Sequence, residues 1–376
     1  MKSRVMIVSA AALLCSSSLM AETTKPLDTS RLKMPILSVL LPQQTIFIEP
    51  FIPGQVIAVP GNAAAWNFVP SFVVGNFIAG EIINSQAVDE AQSQSYPFHY
   101  MMDGYDPEPL LRQSLSDGLK SVDWLKPVKV VESKEDSDSV ARLSSSNQGN
   151  DSAVVLLLSY STTPDYSGLV VAAQVKVYSS ALSPDKASPY DPDSKYAWLK
   201  QPVAIRTCIY QSKLLNLPEK TPEVMRQLTA LADKEFDIAN LKKDAAAMDP
   251  YTTPLNKRTS IESRLRQYKT LTRAIQEPKW GVFDEQLMFG MLWSADDYAL
   301  LKQTIHDGAM SLADLIARSV AARPDGATLI ANDISGKDSL YSLDVAPDRA
   351  LLMSTAGVEV SMQKGDRLDF SPIFMP

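Results

Sequence analysis

Histidine is the side chain that most acid–base and metal chemistry draws on near neutral pH, and this chain contains only His99 and His306. Neither has a partner at a spacing that suggests a triad or a metal site. His99 lies in the aromatic-rich stretch YPFHYMMDGYD, and His306 follows Ile305 on an apolar helical pattern, so both read as structural. No HExxH, CxxC, GxxxxGK[ST], GxGxxG or GxSxG pattern occurs. No cofactor and no metal ion is therefore expected.

Carboxylates are plentiful, and glycosidase-type chemistry needs only two of them at a suitable separation. Adjacent candidates are Asp103 with Asp106, Asp191 with Asp193, and Asp296 with Asp297. All fall in turns or helix starts, where capping accounts for an acid. Asp185, Asp191 and Asp193 share one Pro-rich loop, but a calcium loop alternates its ligands around a glycine and closes with Glu, and this loop has neither. The expected binding residues are instead Tyr96, Phe98, His99, Tyr100, Tyr105 and Asp106, read as an exposed aromatic loop with an acid beside it.

The two cysteines are Cys15 and Cys208. Cys15 belongs to an N-terminal segment with Lys2 and Arg4 first, the apolar run VMIVSAAALLC next, and small residues up to Ala21. That order is a secretory signal peptide, with cleavage expected after Ala21 and export to the periplasm of a bacterium. Lipid anchoring at Cys15 is the weaker expectation, because that processing wants a small residue just before the cysteine and Leu14 stands there. After cleavage only Cys208 remains, so no internal disulfide can form; inside an apolar strand it reads as a small buried hydrophobe.

Net charge is −7 for the whole chain and −9 without residues 1–21, which carry two basic groups and no acid. Such a chain repels phosphate backbones, so nucleic acid is not an expected partner. The longest apolar stretch after the signal, FVVGNFIAGEII, contains Asn76 and Glu81 and is too short to cross a bilayer.

The elements that must position any site read as an α+β fold. It has a mixed sheet with flanking helices, an inserted helical segment and a β-rich C-terminal tail. Residues 22–44 look like an extended arm with MPILSVLLP pinned against the body, and QTIFIEPFIPGQVIAVPGN looks like Pro-broken edge strands. Residues 72–83 have helical spacing, with a small-residue strip around Gly75 and Gly80 that suits packing on the protein's own sheet. Asp106-Pro107-Glu108-Pro109 opens a helix reaching about Lys120, and WLKPVKVVES follows as a strand. AVVLLLS and LVVAAQVKVY form a hairpin whose first strand is apolar on both faces. A further strand covers residues 203–210, helices run from Pro222 onward, and the last long helix spans residues 296–321. The divisions are a signal at 1–21, arm and extended segments at 22–70, an α/β core at 71–217, an inserted helical segment at 218–293, a core-closing helix at 294–323, and a β-rich region at 324–376.

This order of elements resembles the periplasmic α/β domain of three families: the curli secretion-pore subunit, the lipoprotein activators of penicillin-binding proteins, and the N-terminal domain of the Tol translocation protein. The likeness rests on PLLRQSLSDGL before WLKPVKVVES, on SAVVLLLSY opening a hairpin, and on a closing helix containing LADLIA. Those families open with a strand of the type VAVLPF, for which TIFIEPF is the nearest counterpart, and they lack the long helical insertion. The resemblance implies a non-catalytic envelope protein that binds another envelope protein or the peptidoglycan machinery. The alternatives are a secreted hydrolase built on carboxylates and a periplasmic ligand-binding module with a deep apolar pocket.

Overall fold

A computed structural model describes residues 27–32, 36–40, 96–102, 105–125, 129–133, 151–163, 165–183, 198–199, 201–249, 251–319, 328–332, 339–344, 347–354, 357–364 and 366. The expected helix at 72–83, the edge strands from TIFIEPF onward, and the loop holding Asp185, Asp191 and Asp193 lie outside these residues.

The fold is α+β around one mixed sheet. Its strands are β1 (Ile36–Leu40), β2 (Lys129–Ser133), β3 (Ser152–Thr162), β4 (Leu169–Ser179), β5 (Ala204–Gln211), β6 (Thr328–Asn332), β7 (Ser339–Asp344), β8 (Arg349–Ser354) and β9 (Val358–Gln363). Across the sheet the order is β2-β1-β3-β4-β5-β9-β8-β7-β6. β1 lies parallel to both β2 and β3, while β3, β4 and β5 form an antiparallel meander.

One expectation changes here. The segment ILSVL is no peripheral arm, because it sits between β2 and β3 with Leu37 buried. Its short apolar run is flanked by Pro35 and Pro42, which reads as extended chain from sequence; only the parallel partners make it internal. The C-terminal region is β-rich as expected, and it joins the same sheet. β9 pairs in parallel with β5, Thr207 opposite Val358 and Tyr210 opposite Ser361, so the last four strands extend the core sheet.

In chain order the helices are α1 (Tyr96–Met102), α2 (Glu108–Leu119), α3 (Pro222–Glu235), α4 (Ile238–Ala246), α5 (Leu255–Gln276) and α6 (Val282–Ser319). α2 has Pro109 and Glu108 in its first turn, where a missing N–H costs nothing and a negative charge meets the helix dipole. Its Leu111, Leu115 and Leu119 and the Leu301, Ile305, Leu312 and Ile316 stripe of α6 bury against alternate residues of the strands, among them Val154, Leu156, Leu158, Val171, Val175 and Cys208. α6 can lie close to the sheet because Gly308 leaves room: a Cβ there would come within 3.0 Å of Tyr210 and Val171. The crossing of α2 over α6 is closer still, since a Cβ on Gly118 would meet that of Ala313 at 2.8 Å. His306 joins the same crossing, its Nδ1 3.1 Å from Ser114 Oγ, which agrees with a structural role.

The other sheet face is apolar too, with Val170, Ala172, Ile209, Val358 and Val360 all buried. That explains the unbroken apolar run of β3, in which residues of both parities are withdrawn from solvent.

The helical insertion has its own core. Leu228, Ala232, Phe236, Leu241, Leu271, Ile275, Leu287 and Met288 from α3 to α6 bury together. Thr221 caps α3, accepting from the Val224 N–H at 3.3 Å, with Pro222 in the first helical position. Just before it, Lys220 enters the interior. Its ammonium donates to Asp284 Oδ2 at 2.5 Å and to the carbonyls of Ala274 and Lys279 at 3.0 Å. It also lies 5.1 Å from the centre of the Trp280 ring. Asp284 takes a second bond, from the Gly281 N–H at 3.0 Å.

Candidate functional site

The aromatic stretch that sequence analysis reads as an exposed loop is helical, because α1 spans Tyr96–Met102. Phe98 is fully buried, and its ring lies 4.7 Å from that of Tyr166 in the β3–β4 turn. It is therefore a packing residue and not a docking contact, a correction that follows from burial alone. Tyr96, His99 and Tyr100 share the α1 backbone. Asp103 lies outside the described residues. Just ahead of α2, Tyr105 is partly and Asp106 fully exposed.

What they meet is an elbow in α6. Residues 295–298 leave helical geometry, with φ of 50°, 56° and 61° at Asp296, Asp297 and Tyr298. Among the described residues five non-glycine residues have positive φ, and two of them contact α1, Tyr166 through Phe98 and Tyr298 through the Met101 carbonyl. A left-handed conformation costs an ordinary residue roughly 1–2 kcal/mol, so a run of three needs neighbours to hold it. The neighbours are specific. Tyr298 donates its hydroxyl to the Met101 carbonyl at 3.2 Å and stacks on Tyr105 with ring centres 4.6 Å apart. Just ahead of the elbow, Trp293 donates from Nε1 to the Tyr166 carbonyl at 2.9 Å. Gly290 lets α1 press in, since a Cβ there would stand 2.8 Å from Met101 Cβ.

The β3–β4 turn that presents Tyr166 is tied by its own side chains. Asp165 Oδ1 accepts from the Thr163 and Ser167 hydroxyls, each at 2.7 Å, and the Gly168 N–H donates to Thr163 Oγ1 at 2.8 Å.

Charge at the junction is negative. Asp106, Asp296 and Asp297 are exposed. Asp106 accepts from the Glu108 N–H at 2.9 Å, Glu108 pairs with Arg112 at 2.6 Å, and Asp297 pairs with Lys302 at 2.6 Å. Burial, then the charges of Asp106 and Asp297, push the Tyr105 hydroxyl up. The buried Tyr160 hydroxyl is pushed up by burial first and by Asp106 and Glu108 next. Both phenols therefore stay neutral under an acidic rim. The arrangement holds a flat aromatic pair beneath carboxylates, a surface that suits a cationic side chain.

Sequence reasoning names Tyr105 and Asp106 as binding residues and reads Asp296 and Asp297 as helix-start acids, and it does not single out Tyr160, Tyr166, Trp293 or Tyr298 for a site. The available signal is WSADDY, where Ser and Asp interrupt an apolar helical run. Replacing Asp296 by glycine is expected to stabilise the fold by about 1 kcal/mol, measured by urea unfolding, because glycine adopts this φ without a Cβ clash.

A second polar cluster lies where α6 ends on the sheet. Arg206 is buried and donates from Nε to the Ser319 carbonyl at 2.9 Å, which caps the helix C-terminus with a positive charge. Cys208 Sγ is 3.7 Å from Ser319 Oγ, and burial pushes its thiol up, so no thiolate nucleophile is available. Glu359 stands opposite Cys208 in the β5–β9 register, with Oε2 shielded from solvent and unpaired. Burial raises its carboxyl to about 7, against the smaller lowering effects of Arg206 and Arg318. Because the native state holds this proton longer than the unfolded chain, stability falls as pH rises from the ordinary carboxylate range through about 7. The loss is expected to reach up to about 3 kcal/mol, and Glu359→Gln should flatten that part of the stability–pH curve.

Among the described residues no three His, Cys, Asp or Glu side chains gather as metal ligands, and no helix is long and apolar enough to cross a membrane. No protein-family model, no curated protein and no solved structure matches the chain.

Proposed function

We propose that this chain is a non-catalytic accessory protein, exported to the bacterial periplasm, that binds another component of the cell envelope, either a protein or the peptidoglycan machinery. The observation that carries the reading is the elbow at residues 295–298. Three successive left-handed residues sit at the surface, held by Tyr105 and Met101, and they present acids beside a stacked tyrosine pair. Backbone strain maintained at an exposed position is a mark of a site shaped in advance for a partner. The partner surface that fits is a cationic segment, its arginine or lysine set over the Tyr105–Tyr298 stack among Asp106, Asp296 and Asp297.

Two further observations support the reading. The N-terminal order of basic, apolar and small zones suits export. The resemblance to the curli-pore, penicillin-binding-protein-activator and Tol domains implies a protein that binds other envelope components, in line with this reading. Residues 36–40 are internal to the sheet and take no part in the docking surface.

The test is affinity purification of the tagged chain from crosslinked envelopes, beside an Asp106→Asn, Asp296→Asn variant. A partner recovered with the wild type and lost with the variant is the expected result. Equal recovery with both, or recovery of no partner together with cell-wall turnover that Asp106→Asn abolishes, overturns it.

A further inference from the structure

The charge of this protein is distributed against its average. In a chain of net charge −7, α5 carries six basic residues, Lys257, Arg258, Arg264, Arg266, Lys269 and Arg273, and one acid, Glu262. Its apolar face, including Ile261, Leu271 and Ile275, is consumed by the core of the helical insertion. The opposite face is left to solvent. There Leu255, Glu262, Arg266, Lys269 and Arg273 are all exposed and follow one another at steps of 7, 4, 3 and 4 residues, which places them in a single line along the helix. Arg266, Lys269 and Arg273 make no hydrogen bond or ion pair through their side chains among the described residues. By contrast Arg264, turned inward, donates to the Phe236 carbonyl at 3.0 Å.

The end of the line is apolar. Leu255 is 70% exposed and Tyr251, in the turn just before it, is 96% exposed, the two most exposed large hydrophobic side chains among the described residues. A straight row of three cations about 10 Å long from Arg266 to Arg273, with Glu262 and then Leu255 further along the same line and Tyr251 beyond them, matches a flat anionic surface better than a pocket.

We propose that the outer face of α5 docks the protein peripherally on an anionic phospholipid bilayer, with Arg266, Lys269 and Arg273 over the headgroups and Tyr251 and Leu255 inserted at the interface. Tyrosine prefers that level of a bilayer because its ring is apolar and its hydroxyl stays wet. The row of cations gives attraction that salt screens, and the two apolar side chains give attraction that salt does not. An acidic protein would satisfy the cations but leaves the exposed Tyr251 and Leu255 without a role, which is why the bilayer is favoured. This surface uses none of the elbow residues, so the two proposals fail separately.

The test is sedimentation of the full chain with vesicles of equal parts phosphatidylglycerol and phosphatidylcholine, and with phosphatidylcholine alone. The expected result is binding to the mixed vesicles that exceeds binding to the neutral ones and weakens as salt is raised. Each cation near such a surface contributes roughly a fivefold gain in affinity, so Arg266→Gln, Lys269→Gln, Arg273→Gln together should weaken binding about a hundredfold. Tyr251→Ser, Leu255→Ser should weaken the part that persists in high salt. The Asp106→Asn, Asp296→Asn variant should bind vesicles as the wild type does. Since all these residues are exposed, thermal unfolding should be unchanged, which separates lost binding from lost folding. Vesicle binding unaffected by the triple substitution, or no preference for the anionic vesicles, overturns the proposal. So does retention of an acidic protein through these arginines without vesicle binding.

Discussion

Lys220→Met is expected to destabilise the protein by about 3–5 kcal/mol in urea unfolding. The Lys220 side chain is 3% exposed and that of Asp284 0%, and each has further partners around the other. Removing the ammonium leaves the buried Asp284 carboxyl with one backbone N–H and no countercharge, and leaves the carbonyls of Ala274 and Lys279 without their donor. The pair also closes the insertion: Lys220 precedes α3, its carbonyl partners follow from α5, and Asp284 opens α6, so one ammonium ties the start, middle and end of the helical unit. Lys220→Met combined with Asp284→Leu should recover much of the loss, because two apolar groups in place of a buried ion pair leave no uncompensated charge. Failure of the double variant to recover would mean that the carbonyl bonds of Lys220, rather than its charge, hold the unit together.

Phe98→Ala should cost about 3–5 kcal/mol in the same measurement while leaving the envelope partner's binding unchanged under conditions where the variant is folded. Phe98 is fully buried against Tyr166, and truncation opens a cavity under α1 beside the Trp293–Tyr166 bond. Tyr105→Ala tests the opposite expectation. Its ring is only partly buried and stacks on Tyr298, so its removal should cost less stability and more partner binding. If Phe98→Ala weakened partner binding more than Tyr105→Ala, the elbow surface would not be the contact.

Composition and periodicity carry further for the elements than for the site. The hairpin of β3 and β4, the strand β5, the helix opening at Glu108 with its Pro-acid start, and the apolar stripe from Leu301 to Ile316 were all legible in the chain. Each announces itself through local spacing, caps or a continuous β-branched run, properties that neighbours in sequence share. Cys208 as a small buried hydrophobe was legible for the same reason, since it lies on a stripe whose direction the period sets.

What only the tertiary structure decided is which local pieces meet. Ile36–Leu40 and Val358–Gln363 are short strands of no distinctive pattern, and they become internal because parallel partners far away in sequence accept their hydrogen bonds. Phe98 reads as exposed while its neighbours are counted as loop, and becomes core when α1 turns its face onto Tyr166. The elbow is the clearest case. Asp296 and Asp297 have the side chains of a helix start, and a helix does restart there, but the left-handed path into it exists because Tyr105 and the Met101 carbonyl receive Tyr298. Local propensity acts over a few residues and can be read along the chain; strain, burial of a charge and the pairing of distant strands depend on contacts that only folding brings into range.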